Sequence, residues 1–191
     1  MSSSTKEYII KHKANVQSRM LKLSHLLRIR ADLHDNSKLE EPEITGWKKM
    51  DQEPRYPYGS SEYFDKKRRY EYLFDQHYQD PRNTHHPEHF KDQGVSGMDL
   101  LDLLEFLCDS FSYKSETLTY TEASAVLDKQ IERFNISEDL GWALRNTVQN
   151  YFCKFGGLDD LDKPTNLTNP TNPCPYSKDL ELSGNAVDLT V

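Results

Sequence analysis

From Thr5 to Ala31 the chain holds neither glycine nor proline, and Val16, Met20, Leu23 and Leu27 recur at the three- and four-residue spacing of a helical face. A breaker-free stretch of that length predicts one long α-helix, with His12 on the same inward stripe one turn before Val16. The polar run Leu33-His34-Asp35-Asn36-Ser37-Lys38-Leu39 suits a helix start, and Pro42 opens another turn. Residues 53–61, with two prolines and a glycine, read as a loop. A helix then runs from Ser60 or Ser61 to about Gln79 and stops at Asp80-Pro81. Pro87 sits well in a first helical turn, and 93–97 is a further break. Met98 to about Ser112 is the most apolar helix. Two more follow, about 121–134 and 137–155, the second opened by Ser137-Glu138-Asp139 in the manner of a capping box.

No strand-like alternation occurs, so the expected fold is all-α, a single compact helical bundle over about residues 5–157. Beyond Gly156-Gly157 come four of the nine prolines, many Asn and Thr, and no apolar periodicity. The expected organisation is therefore one domain over 1–157 and a flexible Pro/Asn/Thr-rich tail over 158–191.

The formal charge of −7 argues against bulk nucleic-acid binding, since a phosphate backbone selects a positive field. A local basic patch remains: Asp65-Lys66-Lys67-Arg68-Arg69-Tyr70, among Tyr56, Tyr58, Tyr63 and Tyr72. It reads either as a platform for phosphates and stacked bases or as a solvated helix face with its aromatic side on the core. No apolar run approaches the ~18 residues of a membrane span. The first residues lack the apolar stretch of a secretory signal. Cys108, Cys153 and Cys174 are too few and too scattered for a disulfide framework or a thiolate zinc site. A reducing, cytoplasmic location is the expectation.

The chemistry concentrates in histidine. Of seven, four (His77, His85, His86 and His89) fall in one short stretch, and imidazole with carboxylate is the donor set of Zn, Mn, Fe and related ions. Each piece has a plain structural reading. His12 fits a core histidine, His34-Asp35 a helix cap, the histidine-rich stretch a surface loop, and Asp102, Glu105 and Asp109 the wet face of an amphipathic helix. Their order along the chain is more telling: a histidine on the first helix, a His-Asp pair after it, and an aspartate within a late apolar helix.

That order, over about residues 8–115, resembles the HD-domain (His-Asp) phosphohydrolase superfamily. His34-Asp35-Asn36-Ser37-Lys38 looks like its HD-x-x-K form, and Asn83-Thr84-His85-His86-Pro87-Glu88-His89 is similar to the extra-histidine segments of two-metal members. Together with Tyr58-Gly59-Ser60-Ser61-Glu62-Tyr63, these residues resemble a small phage and bacterial branch. The resemblance implies that His12, His34, Asp35 and Asp109 hold one divalent ion (Mn, Fe, Zn, Co or Mg). It implies a second ion bridged by Asp35, with ligands from His86 and from His85, His89 or His77. Asp35 then orients the attacking water, and Lys38 meets a phosphate oxygen. Arg28, Arg30 and Arg82 read either as further phosphate contacts or as plain surface charges, and Tyr58 and Tyr63 as a stacking surface for a base. The gap from His12 to His34 is shorter, and the later histidines lie closer together, than the family pattern. The implied activity is metal-dependent hydrolysis of a small phosphorylated, nucleotide-type substrate, in a host cytoplasm if the chain is phage-encoded. No membrane partner is expected, and a homo-oligomer is compatible with the chain. The alternative is a non-catalytic helical interaction or nucleic-acid-binding protein with a structural metal or none.

Overall fold

The long breaker-free stretch is helix α1, Ser3–Leu33, in a computed structural model that describes residues 3–57, 59–112 and 119–153. Six more α-helices follow among the described residues: α2 (Glu43–Asp51), α3 (Ser61–Arg69), α4 (Glu71–Gln79), α5 (Leu100–Phe111), α6 (Tyr120–Arg133) and α7 (Glu138–Thr147). Short 3₁₀ segments cover Asn36–Leu39 and Pro87–Gly97, and one π turn, Val148–Phe152, extends α7. No strand occurs among the described residues, so the fold is all-α as expected. None of these helices is long and apolar enough to cross a membrane. The flexible tail expected over 158–191 lies outside the described residues.

The core is built by α5, α6 and α7, whose Phe106, Leu107, Phe111, Ala123, Leu127, Leu144 and Val148 interlock with Ile136. Helix starts follow their caps. Asp99 accepts hydrogen bonds from the backbone of Leu101 and Asp102 while the Asp102 carboxylate answers the Asp99 amide, and Thr119 and Glu122 repeat this reciprocal arrangement at α6. At α7 the capping-box expectation does not hold, since the Ser137 side chain makes no cap hydrogen bond.

Two departures from the expected pattern position the site. The helix anticipated over 60–79 is broken at Tyr70 into α3 and α4. Lys66 donates to the carbonyls of Glu53 and Pro54 at 3.2 Å, while Arg69 and Tyr70 bind the Glu53 carboxylate at 2.5 and 2.9 Å. The basic stretch thus fastens the 53–57 loop, and α4 is free to turn Leu73 and His77 inward, where both are buried. The second departure is α1. Every side chain from Ser4 to Leu26 is exposed, and the helix seats on α5 only near its C-terminus. His12 is accordingly an exposed residue stacked on Tyr8, not a core histidine.

Candidate metal centre

Helix α1 ends at Leu33, and Asp35 takes a left-handed conformation (φ 56°, ψ 15°) that turns the chain into the 3₁₀ segment. A non-glycine residue there is uncommon and costs local strain. Its effect is to set the adjacent side chains of His34 and Asp35 around one point, at the end of α1 where the helix dipole favours a cation. The expected helix start is this 3₁₀ segment, with Asp35 at its N-cap position but no side-chain cap hydrogen bond, and His34 directly follows the C-terminus of α1.

Asp35 Oδ1 lies 3.2 Å from His77 Nε2 and 3.6 Å from His85 Nε2, and His77 Nε2 lies 3.0 Å from His86 Nε2. These four residues, from the α1 end, from α4 and from the 83–87 turn, present ligand atoms that all lie within 4.8 Å of one another. A tetrahedral ion with bonds near 2.1 Å separates its ligands by about 3.4 Å, and the three distances straddle that value. Two further observations fit a cation. Asp35 Oδ1 and both ring nitrogens of His85 are buried without a hydrogen-bond partner, which is costly unless something else satisfies them. His85 lies within ion-pair distance of Asp35 and Glu105, but the alignment does not make hydrogen bonds. Two facing imidazole nitrogens at 3.0 Å also need either a shared proton or an ion between them.

The other Asp35 oxygen, Oδ2, faces the opposite way. It receives Lys38 Nζ at 2.5 Å and lies 3.6 Å from His34 Nε2, which is 3.7 Å from Asp109 Oδ1. His34, Asp35 and Asp109 form a second group of potential ligands, so Asp35 joins two clusters through its two oxygens. Behind them, Glu105 accepts from His34 Nδ1 at 2.8 Å and from Arg30 Nε at 2.7 Å, and Arg30 also reaches Asp102 at 2.7 Å. The Asp102–Glu105–Asp109 stripe therefore faces the site instead of water, while Leu100 and Leu104 on the same helix are exposed.

An outer layer orients His77. Its Nδ1 donates to buried Glu43 at 3.0 Å, and Trp47 Nε1 donates to the same carboxylate oxygen at 3.1 Å. Buried Asn83 donates to Ser37 Oγ and to the His77 carbonyl at 2.9 and 2.8 Å. Carboxylate support on the far nitrogen fixes the tautomer and aims Nε2 at the cluster. Glu43, Asn83, Ser37 and Glu105 were not among the residues singled out by sequence for the site, and a lone glutamate after Pro42 carries no motif to flag it.

The charges follow from this packing. The neighbouring carboxylates of Asp109 and then Glu105 raise His34 to about 10. Burial pushes Asp35 upward, but the adjoining His77 and His85 rings and the Lys38 ammonium outweigh it and hold the carboxyl well below its usual range. Burial and the neighbouring His85 and His77 drop His86 to about 3, leaving its ring neutral.

His12 does not join this centre. It stands roughly 30 Å from His34 along one helix axis, and no loop closes that distance. His77 takes a place in the cluster instead. His89 lies outside both groups, its Nδ1 bound to the Tyr78 carbonyl at 2.7 Å. Arg82 forks onto Glu40 at 2.8 and 2.9 Å and meets Asp80 at 2.7 Å, so both of its faces are occupied on the surface. Arg28 is exposed on α1, Tyr63 packs its ring edge-on to Phe64, and Tyr58 lies outside the described residues. Beside the second group opens a cleft of about 480 Å³ between α1 and α5, with Leu27, Ala31, Leu104 and Cys108 on its walls and His34, Glu105 and Asp109 on its polar side.

Fold and site together define an all-α protein with a His/carboxylate centre suited to a cation. The chain belongs to a family of unknown function, DUF5662, whose model matches residues 1–152. No curated protein and no solved structure matches it.

Proposed function

We propose that this chain is a metal-dependent phosphohydrolase acting on a small phosphorylated substrate of nucleotide type. Kinship with the HD-domain superfamily is part of that proposal. One observation carries it: Asp35 joins a four-residue group to a three-residue group that borders a cleft. Four protein ligands are the complement of a closed, structural site, whereas three leave a position open for water or substrate. Asp35, His77, His85 and His86 fit the first description, and His34, Asp35 and Asp109 fit the second.

A divalent ion held there supplies Lewis acidity and brings the pKa of water toward neutrality. The protein's own groups do the rest. Asp35, negative and fixed by Lys38, holds its oxygens toward both clusters and orients the attacking water. Lys38 offers its ammonium to a phosphate oxygen as a point charge. Glu43 and Glu105 keep His77 and His34 in place, and the apolar cleft walls exclude water from the substrate's non-phosphate part. Cys108 and Cys153 are free thiols, in keeping with a cytoplasmic setting.

The test is metal analysis of the purified chain with a phosphate-release screen over nucleoside mono-, di- and triphosphates and cyclic nucleotides, in Mn, Fe, Co, Zn and Mg. Turnover should disappear in Asp35→Asn and Asp109→Asn. The completeness of the four-residue group favours one other reading, a structural ion in a non-catalytic protein. Tight metal uptake without phosphate release from any substrate would select it.

A further inference from the structure

The two oxygens of Asp35 are in different conditions. Oδ1, which faces His77 and His85, is buried and accepts no hydrogen bond, and His85, only 1% exposed, leaves both ring nitrogens unpartnered beside it. Oδ2, which faces His34, already holds a cation, the Lys38 ammonium at 2.5 Å. We infer that Lys38 is a tethered cation that competes with a metal ion for the His34–Asp35–Asp109 group, and that an incoming phosphate relieves the competition by drawing Lys38 onto itself. The inference rests on the metal centre proposed above and adds an order of loading to it. One ion enters the four-residue group first, and the second enters together with the phosphate.

An ion bonded to Oδ2 at about 2.1 Å would stand only about 4 Å from an ammonium on the other lone pair of the same oxygen. Like charges that close, one of them double, repel strongly where burial lowers the local dielectric. One must leave, and the lysine can. Its side chain is 29% exposed on a flexible stem, and among the described residues its ammonium donates to Asp35 alone. Two of its three N–H bonds are thus left for another anion. The Trp47 ring, 5.4 Å from Nζ, gives the charge a weaker hold when it quits the carboxylate. Among the described residues no lysine or arginine pairs with Oδ1, so the first ion meets no such rival. Coupling through a shared group is reciprocal: phosphate tightens the second ion as much as that ion tightens phosphate. The device keeps Asp35 paired until substrate arrives and completes the open site only around a phosphate-bearing ligand.

Equilibrium dialysis of the chelator-stripped full chain against Mn²⁺, with and without inorganic phosphate, tests this without reference to turnover. The wild-type chain should bind one ion tightly and a second weakly, and phosphate should tighten only the second. Lys38→Met, which keeps the stem and removes the charge, should tighten the second ion about tenfold or more without phosphate, the worth of one charge-assisted hydrogen bond. Phosphate should then add less than it does in the wild type. Lys38→Arg should restore the wild-type pattern, and Asp109→Asn should delete the second ion and keep the first. Unaltered binding of the first ion in each variant reports an intact fold. Two ions of equal affinity in the wild type, or a phosphate effect of the same size with and without the lysine, would overturn the inference. So would a second ion that Lys38→Met leaves unchanged or weakens, the result for a lysine that merely steadies Asp35. No ion uptake at all would remove the metal centre and both readings with it. The Lys38 effect without phosphate release from any substrate would support the inference and overturn the hydrolase alone.

Discussion

At the scale of single residues, protonation decides how the candidate centre would take up a cation. His34, raised to about 10, carries a proton at pH 7, whereas His86, lowered to about 3, does not. Metal binding through His34 must therefore expel its proton. Calorimetry in buffers of different ionisation enthalpy should show release of about one proton at pH 7, with affinity rising with pH, and His34→Asn should abolish that release. The metal-free chain should respond to pH with two opposite signs. A folded pKa above the unfolded 6.5 means His34 stabilises fully below pH 6.5 and loses that contribution as pH rises toward 10. Asp35, depressed from 3.8, stabilises above that pH and loses its contribution in acid. Thermal midpoints measured in chelator should peak between these limits, and His34→Asn should flatten the alkaline side. Glu43→Gln, which weakens the hold on His77, should cost about 10- to 100-fold in metal affinity, read by titration. Much of the centre was legible in residue identity: His34, Asp35, His85, His86 and Asp109 all converge. His12 misled because helical periodicity reports a shared face and not what lies opposite it. Glu43 and Asn83 act through buried hydrogen bonds that leave no spacing to read.

Among the elements, α5 shows why an acidic stripe was ambiguous. Asp102 and Glu105 turn inward because Arg30, Thr84 and His34 await them, and the exposed side is left to Leu100 and Leu104. Arg30→Ala removes the guanidinium from two carboxylates, of which Asp102 is buried, and should cost about 3 kcal/mol, measured by denaturant unfolding. The α2–α4 contact is as demanding. A methyl group on Gly46 would come within 2.7 Å of Leu73 Cδ1, and Leu73 is itself fully buried. Gly46→Ala should therefore destabilise by about 1–3 kcal/mol and weaken metal binding, since the same helix carries Glu43 to His77. Helix existence was legible from breakers and caps. The split at Tyr70 was not, because it arises from side chains reaching back to Glu53 and not from a glycine or proline.

For the whole molecule, a cation that binds only the folded chain must stabilise it by mass action. Saturation at a hundred times the dissociation constant adds about 2.7 kcal/mol, so the melting temperature should climb with added zinc or manganese and fall in chelator. Asp35→Asn should remove most of that response. The all-α class followed from composition and periodicity because neither depends on long-range contacts. Which helices meet was hidden, since four candidate ligands from three separate segments are brought together only by the completed packing.

Helix α1 is fixed to the body over little more than its last two turns, and its foot bears the peptide that carries His34 and Asp35. Mechanically it is a lever about 46 Å long with its fulcrum beside the candidate centre. Torque applied near Ile9 would be delivered to the peptide that carries this imidazole and carboxylate.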